Sequence, residues 1–332
     1  MEPDPTRMPF SSLSCRTRLP LSLFLLCVAS RSAKGFSTER TKTPVALVTG
    51  STDGIGVTTA KNLSSKGYDV IVHGRDSRRL KQAVATIEHF AAHHSNDPGR
   101  VFRLPPIDIS TIHGCQRLVS ETNALCESEG LGLSVLMNNA GVYSEDHIIT
   151  EDGLELTFAV NVVAPFIITS RLLPRLLRQK SRIVTASSIS QCRSIRSWED
   201  LHYNQRPYSA HAAYSESKLL DAMLTMEMTD RFQSSGIDAD RITCNCLDPG
   251  TVNTKMLLAG WGPIGIDVED ALDQTWLCSS DEVEQTTGKY FVYQCERMAS
   301  SSVYDKKERE KMWNLLASLD PEAAKMWSFD WL

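Results

Sequence analysis

The sequence lacks an excess of positive charge. Its 35 lysine and arginine residues are outnumbered by 40 aspartate and glutamate residues, which gives a formal net charge of -5 and a pI near 5.9. Proteins that bind nucleic acids usually carry a basic surface, because much of their affinity comes from lysine and arginine contacts to phosphates. The composition therefore argues against a nucleic acid partner.

The sequence also lacks the paired cysteine and histidine spacings that are typical of zinc sites. Its nine cysteines are scattered along the chain, so we expect reduced thiols, mostly buried, and no metal site. Cys244 and Cys246 flank Asn245 in the predicted strand RITCNCLDPG. Because side chains alternate along a strand, both thiols should face the same packed surface.

The apolar run near the N-terminus, from Leu19 to Ala29, is too short to cross a bilayer as a relaxed helix. It resembles the core of a signal peptide, and the segment after it is rich in hydroxyl groups and positive charge, as in transit peptides. We expect residues 1–43 to be a targeting presequence, with a two-part plastid presequence as the first interpretation. The alternatives are endoplasmic reticulum or mitochondrial targeting, or a disordered leader. Membrane contact is expected only through this leader.

After Pro44, short apolar runs alternate with helical patterns, which is the rhythm of β-α-β units. Seven strands separated by helices predict a single doubly wound α/β domain of the Rossmann type, with a seven-stranded parallel sheet, over residues 44–299. The long helix between the fourth and fifth strands should be interrupted at Pro165 and Pro174. The predicted strands are VALVTG, DVIVHG, RVFRLPPID, LSVLMNNAG, SRIVTASS, RITCNCLDPG and GKYFVY.

Residues 300–332 are predicted to form a C-terminal helical extension. The segment YDKKEREKMWNLLASL has an amphipathic pattern that places four apolar side chains near one side: Met312, Trp313, Leu315 and Leu316. We expect this side to dock on the protein rather than to insert into a membrane.

A glycine-rich turn directly follows the first predicted strand and opens the first helix. Glycines at such a turn allow the backbone to approach a pyrophosphate, and the helix N-terminus offers free N–H groups to the anion. The turn therefore predicts dinucleotide binding, although a tight strand-to-helix connection would look similar. The residues predicted to hold the cofactor here are Gly50, Ser51, Thr52, Asp53, Gly54, Ile55 and Gly56.

The end of the second strand indicates which dinucleotide binds. An acidic residue there would bind the ribose 2'-hydroxyl of NAD, but the strand ends in His73, Gly74 and Arg75. Arg75 can pair with a 2'-phosphate through its fork of donors, which favours NADP. Arg75 could also be a solvated surface residue, and the neighbouring Asp76 could partly reverse the preference.

Two more polar groups end predicted strands. Asp108 closes the third strand, and Asn138-Asn139-Ala140-Gly141 closes the fourth. Each could be ordinary turn chemistry. Together with the glycine-rich turn, they occupy consecutive strand ends along one crevice, where adenine and the nicotinamide ribose would lie.

Tyr214 and Lys218 lie four positions apart in the predicted helix that contains AAYSESK. This spacing places both side chains on one helical face. The pair could be an exposed surface contact, or it could hold an ammonium group near a phenol.

In this order, the motifs resemble those of the short-chain dehydrogenase/reductase family. The resemblance covers Pro44 to Tyr293 and is greatest for the retinol dehydrogenase-like, NADP-using branch. The matching elements are TGSTDGIG, NNAG, Asn161 in AVNVVAPF, Ser188 in IVTASS, YSESK and DPGTVNT.

The resemblance implies a catalytic role for Tyr214, Lys218, Ser188 and Asn161. Tyr214 would be the proton donor in carbonyl reduction, with a pKa lowered from about 10 toward about 7 by the Lys218 ammonium, near the positive charge of the oxidised nicotinamide. Ser188 would bind the substrate oxygen, with Ser187 as its rival, and Asn161 would hold a water that links Lys218 to solvent. Further cofactor contacts are implied at Asn139, Ala140, Gly141, Tyr214, Lys218, Pro249, Gly250, Val252 and Thr254.

The segment from Pro249 to Gly265 combines glycines with apolar side chains, including Met256 and Trp261, and is typical of a mobile apolar lid. It predicts an apolar alcohol or carbonyl substrate, such as a retinoid, a steroid or a lipid aldehyde. The segment could instead pack on the core or form the surface of a homodimer. Two alternatives to an enzyme remain: a vestigial NADP-binding sensor or scaffold, and a structural partner protein with the same fold.

Overall fold

A mostly parallel β-sheet forms the centre of the protein. The structure is a computed structural model that describes residues 43–332, so the predicted leader lies outside the described residues, apart from Thr43. The strand order is β3-β2-β1-β4-β5-β6-β7-β8. The strands are β1 (Val45–Val48), β2 (Asp69–Val72), β3 (Val101–Arg103), β4 (Leu133–Asn138), β5 (Ser181–Ala186), β6 (Ile242–Asp248), β7 (Tyr290–Val292) and β8 (Cys295–Arg297).

The seven predicted parallel strands are confirmed, and the sheet has an eighth strand that was not predicted. β8 pairs antiparallel with β7. The two residues between them, Tyr293 and Gln294, have φ angles of 52° and 59°. Two left-handed residues in succession form the tight hairpin turn that suits the twist of paired strands. The predicted strand GKYFVY therefore ends in a hairpin.

Helices cover both faces of the sheet, as expected for a doubly wound domain. The bounds are α1 (Gly54–Ser65), α2 (Ser77–His94), α3 (Ile112–Ser128), α4 (Leu156–Phe158), α5 (Ala164–Leu176), α6 (Ala210–Ser234), α7 (Lys255–Gly260), α8 (Asp273–Ser279), α9 (Lys306–Leu319) and α10 (Pro321–Lys325). The apolar side chains of α1, α2 and α8 fill one core, and those of α3, α5, α6 and α9 fill the other. Cys244 and Cys246 both face the second core, as predicted.

The helix after β4 does not break at either proline, which differs from the prediction. A π turn (Ala159–Val163) joins α4 to α5, and the N–H of Ala164 donates to the carbonyl of Ala159. Pro165 lies in the first turn of α5, and Pro174 lies inside it. The segment Leu156–Leu176 is long and apolar enough to cross a membrane, but it is 89% buried inside the protein and serves as a core helix.

The third strand is shorter than predicted. It ends at Arg103, and Asp108 lies in the loop beyond it. Pro105 and Pro106 follow the strand, and prolines lack the backbone N–H that a longer strand would need to donate.

The C-terminal segment packs against α5 and α6. Met312 and Leu316 are buried as the amphipathic pattern predicts, whereas Leu315 is only half-buried. The indole N–H of Trp327 donates to Ser170 Oγ at 2.7 Å, and Arg171 pairs with Asp320 at 2.7 Å. These contacts attach the C-terminal extension to α5.

Candidate active site

The glycine-rich turn after β1 is built so tightly that it excludes larger residues. Gly50 and Gly54 have φ angles of 65° and 53°, which favour glycine. A Cβ atom on Gly56 would lie 2.4 Å from Asn139 Nδ2 and 2.5 Å from the Gly50 carbonyl oxygen. Asp53 caps α1 by accepting from the Gly54 N–H at 2.9 Å. The turn thus forms a backbone cradle at a helix N-terminus.

His73 supports this turn from the end of β2. The Gly50 N–H donates to His73 Nδ1 at 3.1 Å, and His73 Nε2 lies 3.1 Å from the Ile107 carbonyl oxygen. Nδ1 must therefore be the acceptor and Nε2 the donor, which fixes a neutral imidazole. Burial lowers the pKa of His73 to about 4. We identified His73 from the sequence only as the end of a strand and missed this supporting role.

The predicted NNAG motif joins the ends of β1 and β4. Asn139 Nδ2 donates to the Thr49 carbonyl at 2.8 Å, and the N–H groups of Asn139 and Ala140 both donate to Thr49 Oγ1 at 3.0 Å. A Cβ atom on Gly141 would lie 3.8 Å from Lys218 Nζ. The motif therefore lies between the cradle and the predicted catalytic groups.

Arg75 lies at the other end of the crevice. Its side chain is 70% exposed, and its guanidinium is 3.9 Å from the Asp108 carboxylate. The adjacent Asp76 caps α2, where its carboxylate accepts from the Arg79 N–H at 2.8 Å, and this hydrogen bond lowers the pKa of Asp76. Because the Asp76 carboxylate is engaged at the helix end, the exposed Arg75 guanidinium can meet a ligand at the tip of β2, with Asp108 as its partner in the protein by itself.

Three of the predicted catalytic residues share one buried pocket. Tyr214 is only 9% exposed. Burial raises the pKa of its phenol. The Lys218 charge and a hydrogen bond to Ser188 lower this pKa, but by less than burial raises it. In the protein by itself, the loss of hydration therefore outweighs the attraction of the ammonium. The predicted fall toward 7 also counted on the charge of the oxidised nicotinamide and stays a prediction.

The structure places Ser188, rather than Ser187, beside Tyr214. Burial raises the pKa of both Tyr214 and Asp248, and the nearby Ser188 hydroxyl partly opposes this rise. Ser188 Oγ also accepts from the Ser190 N–H at 3.1 Å. The Ser187 hydroxyl points elsewhere and donates to the Lys218 carbonyl at 2.7 Å. The two serines face different sides, as expected for neighbours at the end of a strand.

Lys218 is buried and makes an ion pair that we did not predict from the sequence. Its ammonium donates to Asp221 Oδ2 and to the Ala186 carbonyl, both at 2.8 Å, and lies 5.6 Å from the centre of the Tyr214 ring. Burial alone would lower the pKa of Lys218, but the charge of Asp221 raises it. Burial in turn raises the pKa of Asp221 to about 6.

Asn161 lies in the π turn, next to this pocket. Its amide Nδ2 donates to the Val142 carbonyl at 3.1 Å and to Ser217 Oγ at 2.9 Å, and its Oδ1 accepts from the Val142 N–H at 2.8 Å. The side chain thus fastens the loop after β4 to α6. Both amide hydrogens are used, so a water at Asn161 would have to donate to Oδ1 or to the backbone carbonyl.

The segment after β6, which was predicted to form a mobile lid over the nicotinamide, lies against the glycine-rich turn. Val252 is buried, Pro249 is half-buried, and Gly250 has a φ of 88°. Thr254 caps α7 and lies 3.3 Å from the position of a Cβ atom on Gly54. Lys255 forms an ion pair with Asp53. This segment therefore contacts the residues that cap the pyrophosphate turn.

An aromatic cluster, Tyr143, His211 and Trp261, lies beside the Tyr214 ring. The Tyr214 ring centre is 5.6 Å from that of Trp261 and 5.9 Å from that of Tyr143. His211 contacts both Trp261 and Tyr143, at 4.8 and 5.3 Å. Trp261 was part of the predicted lid, but Tyr143 and His211 were missed. The spacing of His211, three positions before Tyr214 in one helix, was a usable signal.

Comparisons with known proteins agree with this geometry. A model of the short chain dehydrogenase family matches residues 44–259. Polyprenol dehydrogenase from Mus musculus is 30% identical over 286 residues, which cover 81% of this chain and 81% of the relative. Retinol dehydrogenase 13 from Mus musculus is 30% identical over 290 residues and covers 82% of each chain.

Solved structures have the same fold. A protein from Mycobacterium paratuberculosis has a TM-score of 0.64 and 24% identity, and covers 83% of this chain and 92% of its own. Landomycin C-6 ketoreductase with bound NADP and rabelomycin has a TM-score of 0.56 and 24% identity, and covers 76% of this chain and 94% of its own.

Proposed function

The chain belongs to the short-chain dehydrogenase family, in its retinol dehydrogenase-like branch, and we propose that it is an NADP(H)-dependent oxidoreductase. In this proposal it transfers hydride between the nicotinamide and an apolar alcohol or carbonyl compound. The observation that carries the proposal is the shared pocket, in which Tyr214, Ser188 and Lys218 are all buried and the Lys218 ammonium lies 5.6 Å from the centre of the Tyr214 ring.

The residues at the strand ends fit a dinucleotide. The turn from Gly50 to Gly56 leaves no room for Cβ atoms at its closest points, which suits the approach of a pyrophosphate to the backbone. The segment from Asn139 to Gly141 would lie along the cofactor, and Lys218 would hold the ribose near the nicotinamide. When bound, the nicotinamide would supply or accept the hydride.

The charge at the tip of β2 supports NADP over NAD. Arg75 is exposed at the rim of the crevice, and the Asp76 carboxylate is engaged in capping α2. The Arg75 guanidinium can therefore pair with a 2'-phosphate in place of its long contact, 3.9 Å, with the Asp108 carboxylate. Several solved proteins of the same fold bind NADP.

The chain's own residues would handle the proton and the substrate oxygen. Tyr214 would donate a proton to the oxygen during reduction and accept it during oxidation. Lys218 would favour the phenolate through its charge, and the Ser188 hydroxyl would donate a hydrogen bond to the substrate oxygen. Asn161 would hold the loop after β4 in place and, as a prediction, a water for proton exchange.

The surroundings of Tyr214 support an apolar substrate. The aromatic cluster of Tyr143, His211 and Trp261 borders the phenol, and the nearby lid carries exposed apolar side chains, including Leu258 and Ile264. A pocket of this kind would stabilise an apolar molecule by burying its surface. A retinoid, a steroid and a lipid aldehyde would all meet this requirement.

The decisive experiment compares the protein with its Tyr214→Phe variant. Purified protein is incubated with NADPH or NADH and a panel of apolar aldehydes and ketones, and nicotinamide absorbance is followed. We expect oxidation of NADPH, and a loss of at least about 100-fold in kcat for Tyr214→Phe, because a positioned acid contributes that much. NADPH binding by the variant should survive.

Tyr304→Phe is the control, because this exposed tyrosine lies outside the pocket. Equal turnover by Tyr214→Phe would remove Tyr214 from the mechanism. NADPH binding without turnover of any compound would favour the alternative, a vestigial NADP-binding sensor or scaffold.

A further inference from the structure

The ion pair between Lys218 and Asp221 is buried at the centre of the proposed active site. The two residues lie three positions apart on α6, and their charged atoms are 2.8 Å apart. Their side chains are only 5% and 1% exposed. Asp221 therefore touches the same ammonium that is expected to act on the Tyr214 phenol, although it does not itself border the aromatic cluster.

Stability alone is a poor explanation for this pair. A buried ion pair loses the hydration of both charges, and it regains this free energy only when all its polar atoms find partners. Asp221 Oδ1 has no hydrogen-bond partner among the described residues. A buried ion pair is therefore weak evidence for stability in itself, although removing only its acid would leave the Lys218 ammonium buried without a counter-charge.

The pair has a direct electrostatic effect on the phenol. The Lys218 charge lowers the pKa of Tyr214, whereas the Asp221 charge raises it. The other titratable groups that face the pair are Asp248 and Cys246 on β6. Asp248 is engaged with the N–H groups of Ile189 and Gly250, so Asp221 is the acid that contacts the ammonium directly.

We infer that Asp221 is a positioning residue that fixes the Lys218 ammonium and weakens its electrostatic effect on Tyr214, and thereby sets the pH at which the phenol exchanges its proton. This inference rests on the proposed function, because it assigns the proton exchange to Tyr214. It adds a residue that acts through Lys218 and does not touch the substrate.

The test is the pH profile of kcat/KM for alcohol oxidation with NADP, measured on the full protein and its Asp221→Asn variant. Asparagine keeps the shape of the side chain and an acceptor for the ammonium, but removes the negative charge. We expect the midpoint of the acidic limb, where kcat/KM rises with pH, to fall by about one pH unit, because an uncompensated ammonium stabilises the phenolate better. One unit below the wild-type midpoint, kcat/KM should rise several-fold.

Glu216→Gln is the matched control, because Glu216 is also a buried acid on α6 but pairs with Arg206 at 2.7 Å and not with Lys218. It should lower the melting temperature and leave the midpoint unchanged. Asp221→Ser provides a second neutral variant and should show the same fall as Asp221→Asn.

An unmoved or higher midpoint in either folded Asp221 variant would overturn the inference. Failure of both neutral variants to fold would also overturn it, since Asp221 would then be needed for folding. The proposed function fails separately, through full activity of Tyr214→Phe. If Tyr214→Phe is inactive and the Asp221 profiles are unmoved, only the inference about Asp221 is lost.

Discussion

Arg75 is the single residue that we expect to select between the two nicotinamide dinucleotides. Its exposed guanidinium lies at the tip of β2, where a 2'-phosphate would lie. Arg75→Ala should lower kcat/KM with NADPH by about 10- to 100-fold, which corresponds to the loss of a charged hydrogen bond. The value with NADH should change by less than about threefold. Steady-state kinetics with both cofactors measure this.

Arg178→Ala is the control for this prediction, because Arg178 is an exposed arginine just before β5, at the end of the strands opposite the crevice. It should leave the cofactor preference as it is. An Arg75→Ala variant that still prefers NADPH to the same degree would show that charge at this position does not select the cofactor.

His73 should make the protein less stable in acid. Its pKa is about 4 when folded and about 6.5 in a free histidine, so the unfolded chain binds more protons between these pH values. Stability should therefore fall as the pH drops from 6.5 toward 4, and His73 should account for about 2 to 3 kcal/mol of the loss at pH 4.5. Urea denaturation at pH 7 and pH 4.5 measures the difference.

His73→Gln should lose this part of the pH dependence, whereas His147→Gln, at an exposed loop position, should keep the wild-type dependence. An equal decline in His73→Gln and in the wild type would assign the acid effect to other groups.

Among single residues, the sequence identified those that stand in motifs with a recognisable spacing. It missed those whose role depends on contacts between separate parts of the chain. Tyr214, Lys218 and Ser188 stand in ordered motifs and share one pocket. His73 supports Gly50 from 23 positions away, and only the pairing of β1 with β2 brings them together. Asp221 is three positions from Lys218, but a helical acid at that spacing is usually an exposed partner.

The lid element should contribute mainly to substrate binding. Trp261 follows α7 and contacts Tyr143, His211 and Tyr214. Covering about 50 Å² of an apolar substrate at about 25 cal/mol per Å² would contribute about 1.3 kcal/mol, so Trp261→Ala should raise KM for an apolar aldehyde by about tenfold. The value of kcat should change by less than about threefold. Kinetics with one good substrate from the panel measure both.

Trp276→Ala removes the same volume on α8, where the indole packs on Phe291, and should leave KM unchanged. If Trp261→Ala lowered kcat and left KM unaltered, Trp261 would be placed with the chemical step instead of substrate binding.

The buried parallel strands were easier to predict from the sequence than the last strand, β8, or the π turn. All four residues of β1 and of β2 are buried, and strands that are covered on both faces appear as continuous apolar runs. β8 has no such run, because its residues CER are half-buried or exposed and depend on pairing with β7. The π turn was also hidden, since a proline in a helical pattern normally predicts a break.

The whole molecule depends on the C-terminal extension for part of its stability. Trp327 is buried against α5 and α6, where it contacts Phe232 and Trp313 and donates to Ser170. Trp327→Ala should lower the free energy of unfolding by about 3 to 5 kcal/mol, the usual cost of removing a large buried aromatic side chain. Urea denaturation followed by circular dichroism measures the change.

Trp331→Ala is the control, because the Trp331 ring is only half-buried and should cost much less. Equal losses in the two variants would show that the extension does not contribute through the contacts of Trp327. The amphipathic pattern predicted that this segment would dock on the protein. It did not predict the docking position, because the partners Ser170 and Phe232 lie at distant positions in the chain.

Both edge strands of the sheet are too short to pair readily with a β-strand of another molecule. β3 and β8 are each three residues long; two prolines follow shortly after β3, and β8 carries the charged side chains of Glu296 and Arg297. Exposed edge strands promote aggregation when they are long, flat and apolar, whereas short, charged or proline-flanked edge strands discourage it. Self-association through strand addition is therefore disfavoured, and copies of this chain that do associate should use their helical surfaces.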